Sequence, residues 1–370
     1  MPEKTRLQEL SAHGQSVWLD YLSRDILETG KLAEMVERDA VVGVTSNPTI
    51  FQKAISAGTA YDEQLKDLLG REDDPKEIFL ALSAEDVKGG LALLRPVFDA
   101  SSGEDGYVSW EVDPEIAFDR ERTYEEAKRL HEWIDEPNLY VKIPATAAGI
   151  GAIEDSVADG HNINVTLIFS LQRHDKVMEA YVRGLERFAE SGGDLSGVRS
   201  VASFFVSRVD TEADKRLDAT GGPAELKGKL AIANAKLAYQ HYKRVFSGPR
   251  WEALAAKGAH PQRCLWASTS TKNPDYRDVM YVEELIGPET VNTMPAETVV
   301  AFQDHGVVKQ NSIVGGLDEA ERLLEQLAEA GVDYDDVVAT LEEEGVQKFA
   351  DSFGDLLDGI RAKRAELAAA

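Results

Sequence analysis

Leu139-Tyr140-Val141-Lys142-Ile143-Pro144 is a run of apolar and β-branched residues with Pro137 just before it and Pro144 at its end, and it reads as a short buried strand. Side chains alternate along a strand, so Leu139, Val141 and Ile143 share one face and Lys142 points with Tyr140 to the other. An ammonium on a buried strand is costly unless it is paired or gives up its proton, and burial lowers a lysine pKa. A lysine in that state can attack a carbonyl and form a Schiff base. Taken alone, the segment is more simply a strand-end lysine whose head reaches solvent. The neighbouring segments change that reading.

Similar short apolar segments recur along the chain, at residues 16–20, 41–45, 107–112, 162–168, 198–206, 264–268 and 290–294. Amphipathic stretches lie between most of them, at 23–37, 61–99 with a break at Asp73-Asp74-Pro75, 120–133, from 147, 172–190, 211–217 and 223–246. A further short helix is expected at 5–12. Strands alternating with helices signal repeated β/α units and a parallel sheet. Eight strands predict a single (β/α)8 TIM barrel, a fold of typically ~250 residues, here with additional helices. Residues 1–317 form the expected catalytic barrel, and 318–370 a charged helical extension packed on it, with Gly331, Gly345 and Gly354 as expected breaks. The competitor, a doubly wound open sheet, lacks its G-x-G-x-x-G turn after the first strand.

With 43% hydrophobic residues, 370 residues suffice for a large core. Sixty-six acidic against 40 basic residues give a net charge of -26, which repels nucleic-acid phosphates and anionic lipid. A phosphate-bearing substrate would need a few locally placed cations. Cys264 is the only cysteine, and no Cys/His spacing suggests zinc. Residues 1–10 lack an apolar signal core, and no apolar run approaches the ~18 residues of a membrane span. The expectation is a cytoplasmic protein without metal or cofactor, with neither nucleic-acid nor membrane partners, as monomer or homodimer.

Polar residues gather where barrel enzymes build their sites. Asp20, Asn47, Glu111, Lys142, Asn164, Thr166, Ser203 and Arg208 all lie within or just beyond the C-terminal half of an expected strand. Each has a plainer reading. Asp20 can cap the helix after it, and Asn47 before Pro48 can be a turn or cap. Glu111 and Lys142 can be a structural ion pair, Asn164 and Thr166 a hydrogen-bonded patch, and Arg208 part of a solvated helix face. Those readings would have to hold independently at six strand ends.

Thr45-Ser46-Asn47-Pro48, Val141-Lys142-Ile143-Pro144, Asn164-Val165-Thr166-Leu167-Ile168-Phe169-Ser170 and Val291-Asn292-Thr293-Met294-Pro295 resemble the transaldolases, in the order that family shows them, over roughly residues 16–305. The resemblance implies a metal-free Schiff-base aldol mechanism on sugar phosphates in the pentose phosphate pathway. By it Lys142 attacks the ketone of sedoheptulose 7-phosphate or fructose 6-phosphate. Glu111, with Thr166 and a water, moves protons as the imine forms, and Asp20 takes the C4 hydroxyl proton. Asn47, Asn164 and Ser203 hold hydroxyls of the dihydroxyacetone unit, which passes to erythrose 4-phosphate or glyceraldehyde 3-phosphate. Arg208 and Ser268 match phosphate-binding positions.

The chain departs from the family in two stretches. Phe204-Phe205-Val206-Ser207-Arg208 stands where members often read Pro-Phe-Val-Gly-Arg, keeping Phe205 and Arg208. Ala267-Ser268 is followed by Thr269-Ser270-Thr271-Lys272, without a second arginine, which leaves Lys272 as the candidate second cation. Two rival functions remain open. Fructose 6-phosphate aldolases, similar in fold, typically carry glutamine and tyrosine at the positions of Glu111 and Phe205. A catalytically silent sugar-phosphate-binding barrel would keep Lys142 permanently charged and paired.

Overall fold

The computed structural model describes residues 4–68 and 70–369. Eight parallel strands close into a barrel in chain order: β1 (Gln15–Asp20), β2 (Val41–Thr45), β3 (Tyr107–Glu111), β4 (Leu139–Pro144), β5 (Ile163–Ile168), β6 (Ser200–Phe205), β7 (Arg263–Ala267) and β8 (Thr290–Met294), which pairs back onto β1. This is the expected (β/α)8 TIM barrel. Register then sets the polar residues side by side: Asp20 faces Thr45, Glu111 faces Lys142, and Lys142 faces Asn164.

Inside the barrel the side chains change character from bottom to top. Tyr107 and Tyr140 stack with ring centroids 4.1 Å apart, and the Trp18 ring lies 6.0 Å from that of Tyr140. Burying side chains of this size stabilises by about 1.5–3 kcal/mol each. Gly43 makes room for Trp18, since a Cβ there would lie 2.4 Å from the indole. Below them Arg263 reaches Ser16 Oγ at 2.9 Å and Asp105 Oδ1 at 3.1 Å, pairing a buried cation as its burial requires. Above them the inward face turns polar.

Two local expectations need correction. The stretch 23–37 is two helices, Arg24–Glu28 and Lys31–Arg38, separated where Gly30 takes φ 72°. Ser23 caps the first of them, at the expected start of the stretch. Gly331 separates the helices Leu317–Glu329 and Tyr334–Ala369, but Gly345 and Gly354 lie inside the latter. A helical glycine costs only about 1 kcal/mol, and this helix buries Val337, Leu341, Val346, Phe349, Phe353 and Leu356 against the helix Pro48–Ala57 and its neighbours. No helix among the described residues is long and apolar enough to cross a membrane.

Candidate active site

Lys142 projects inward from the middle of β4 and is 5% exposed. Its Nζ donates to the carbonyl of Ser46 at 3.1 Å and lies 3.4 Å from Glu111 Oε2. Ser46 is held by its own hydroxyl, which donates to the Ser109 carbonyl at 2.9 Å, so the turn after β2 aims its carbonyl at the amine. A cavity of about 420 Å³ opens above Lys142 at the C-terminal ends of the strands.

The two carboxylates differ in surroundings. Burial pushes Glu111 up to about 7, with the Lys142 charge as the main opposing influence. Its Oε1 has no partner among the described residues, nor has the buried Oγ1 of Thr166. Asp20 stands at the end of β1, raised by burial and opposed by Lys142 and then by Thr45, whose hydroxyl donates to Asp20 Oδ1 at 2.7 Å. Thr45 also lies 2.7 Å from Thr293 Oγ1. Asp20 and Thr166 line the cavity, and Glu111 is buried beside Lys142.

A second chain of hydrogen bonds fixes the amide beside the lysine. Ser203 donates to Asn164 Oδ1 at 2.7 Å, and Asn164 Nδ2 donates to Ser109 Oγ at 2.9 Å. Ser203 lines the cavity, and Asn164 is buried beside Lys142 in the strand register. Asn47 is both a helix cap and a cavity residue. Its Oδ1 accepts from Ile50 N at 3.1 Å, capping the helix Pro48–Ala57, and the residue also lines the cavity.

On the β6–β7 side Arg208, Ser268 and Lys272 line the cavity. Ser207 opens the 14-residue helix Ser207–Thr220, whose N-terminus favours negative charge. Its hydroxyl lies 2.9 Å from that of Ser268, and its N–H donates to the Ser268 carbonyl at 3.0 Å, so serine fits at the position of the family glycine. Ser268 takes φ 56°, a left-handed backbone costing about 1–2 kcal/mol, and Leu167 at the end of β5 takes φ 59°. The Arg208 guanidinium lies 5.4 Å from the Phe205 ring centroid and has no ion pair among the described residues. Lys272 Nζ donates to Ser270 Oγ at 2.7 Å. Burial lowers the pKa of both cations from their ordinary values, which a bound phosphate would counter.

A buried lysine at mid-strand, two carboxylates and two further cations, Arg208 and Lys272, thus meet at one barrel mouth. The family model described as transaldolase/fructose-6-phosphate aldolase matches residues 17–360. The chain belongs to the transaldolase/fructose-6-phosphate aldolase family. It is 55% identical over 356 residues to a transaldolase of Frankia alni, covering 96% of each chain. It is 54% identical over 355 residues to one from Acidothermus cellulolyticus, covering 96% of this chain and 95% of that one. Transaldolase 2 of Streptomyces avermitilis is 51% identical over 364 residues, with 98% of each covered. The chain is therefore an enzyme of the transaldolase type.

Several residues of this transaldolase-family site escaped strand reading. Thr45 and Thr293 follow from period-2 alternation once the barrel interior is known, since each lies on the inward face of its strand. Lys53 and Glu297 bring further charge to the cavity wall from helices. Phe349 also lines it, from the final helix, and no local signal places it there.

Proposed function

We propose that this enzyme transfers a dihydroxyacetone unit through a Schiff base on Lys142, from sedoheptulose 7-phosphate or fructose 6-phosphate to glyceraldehyde 3-phosphate or erythrose 4-phosphate, in the cytoplasmic pentose phosphate pathway. The observation that carries the reading is the Lys142 amine, buried at the foot of the cavity and within 3.4 Å of a carboxyl held at about 7. A carboxyl at that value can give a proton to a leaving hydroxyl and take it back near neutrality.

Lys142 Nζ adds to the ketone carbon, and the carbinolamine loses water as Glu111 supplies the proton. One water bound by Glu111 Oε1 and Thr166 Oγ1 would satisfy both unpartnered atoms and relay that proton. Asp20 then accepts the C4 hydroxyl proton while the C3–C4 bond breaks. Its electrons pass into the protonated imine to give an enamine, and an aldose phosphate leaves. The enamine adds to the acceptor aldehyde by the reverse steps, which explains two half-reactions at one site. Asn47, Asn164 and Ser203 orient the hydroxyls, and Arg208, Ser268 and Lys272 hold the phosphate against the protein's adverse net charge. We assign residues 1–317 to the catalytic barrel and 318–370 to the extension on it.

The test is incubation with fructose 6-phosphate and borohydride without acceptor, followed by mass spectrometry. Lys142 acquires one reduced dihydroxyacetone unit, and Lys142→Met acquires none. An unmodified Lys142 with substrate bound would leave a sugar-phosphate-binding barrel. Free dihydroxyacetone released as fast as transfer occurs would indicate the aldolase reaction instead.

A further inference from the structure

The last helix, Tyr334–Ala369, places one aromatic ring over the amine. Lys142 Nζ lies 5.6 Å from the Phe349 ring centroid, and Phe349 is 6% exposed in the cavity wall. Its position follows from a glycine one turn earlier. Gly345 and Phe349 are four residues apart and share a helix face. A Cβ at 345 would lie 3.2 Å from the Phe169 ring and 3.3 Å from a Leu167 methyl, so the bare backbone lets the helix settle on the end of β5 without displacing either side chain. The Phe169 ring in turn lies 5.1 Å from that of Phe205, and the apolar wall continues to the anion side.

The helix is fastened around this point. Glu342 pairs with Arg173, Thr340 accepts from Arg216 at 2.9 Å, and Lys363 meets Asp62 at 2.7 Å. Ser352 accepts at 2.9 Å from Thr49, which itself lines the cavity. The ring is thus a fixed part of the wall.

A covalent intermediate that must wait for a second substrate has one direct loss route. Asp20 returns its proton to C3 of the enamine to restore the protonated imine, water adds to the imine carbon, a proton moves to nitrogen, the C–N bond breaks, and dihydroxyacetone leaves while the free lysine is restored. We propose that Phe349, carried by the C-terminal helix, excludes water from the Lys142-bound three-carbon unit and so sets the ratio of transfer to hydrolysis. This rests on the Schiff-base reading above. The ring makes and breaks no bond. It fills the space through which water would reach the imine carbon, and its face favours the cationic nitrogen.

The experiment compares wild type with Phe349→Leu, Phe349→Val and Phe349→Ala. Two readouts are taken on each: the borohydride adduct on Lys142, and free dihydroxyacetone release without acceptor divided by transfer with erythrose 4-phosphate. The adduct forms in all four proteins, and the ratio rises with lost volume, reaching about tenfold in Phe349→Ala, a relative barrier change of about 1.4 kcal/mol. Phe349→Leu keeps most of the volume and stays nearest to wild type. If Phe349→Ala does not fold, the leucine and valine variants carry the same comparison. A ratio within about twofold of wild type in every folded variant, with both rates reduced together, would make the ring merely structural and overturn the proposal. Absence of the adduct in wild type would instead bring down the Schiff-base reading and this inference with it.

Discussion

Replacing Glu111 with glutamine tests the electrostatics of the site through stability alone. The carboxyl is buried, one oxygen is 3.4 Å from Lys142 Nζ, the other is unpartnered, and burial carries its pKa from 4.5 to about 7. The folded state therefore holds the proton more tightly than the unfolded chain does. Protein stability from this group is greatest below pH 4.5, falls as pH rises toward 7, and stays reduced above it. Ionising such a carboxyl in the folded protein costs about 3 kcal/mol, of which about 2–3 kcal/mol is incurred between pH 5 and pH 8. Glutamine does not titrate, so Glu111→Gln gains that amount on wild type over the same interval. For 370 residues the entropy of unfolding turns it into about 3 °C of relative Tm. The assay is circular dichroism melting of both proteins at pH 5, 6, 7 and 8, each pair in one buffer, so that other titrating groups cancel. A Tm difference constant within about 0.5 °C across that range would refute the raised carboxyl, as would a variant that loses ground as pH rises. Transfer by Glu111→Gln falls about 10²- to 10⁴-fold, the usual range for a removed acid–base group.

Arg208→Ala removes a charged donor set from the cavity wall. KM for sugar phosphates then rises about 30- to 150-fold, matching about 2–3 kcal/mol, while kcat/KM for the corresponding free sugars is unchanged in steady-state assays. Equal losses for both would show that Arg208 does not bind phosphate. A chain ending at Leu317 exposes the barrel surface that the last helix covers, including Phe79 and Phe169. Loss of half a dozen buried apolar side chains at about 1.5–3 kcal/mol each rivals the whole stability of an ordinary protein, so this chain does not unfold cooperatively in urea. Cooperative unfolding with wild-type turnover would make the extension dispensable.

Much of the barrel was legible because a strand writes its faces into consecutive residues. Tyr107, Ser109 and Glu111, or Tyr140 and Lys142, face the interior by a period-2 rule that needs no distant contact. The same rule brings Asn164, Thr166 and Ser203 inward, and the count of β/α units suggests closure. Where backbone propensity alone guided the reading it erred, as at Gly345 and Gly354. There the local cost of a helical glycine is small beside the apolar surface its helix buries.

By itself the sequence determined the eight strands, the lysine at the centre of the fourth, and the polar character of the strand ends, because these are set by residue type and spacing within a few positions. Only the tertiary structure decided which groups meet. The Ser46 carbonyl is 96 residues from Lys142 in the chain and 3.1 Å from it in space. Thr45 joins Asp20 to Thr293, and Phe349 comes from the far end of the chain to cover the amine. Such contacts depend on barrel register and on how closely helices dock, and both are set by the packing of the whole core.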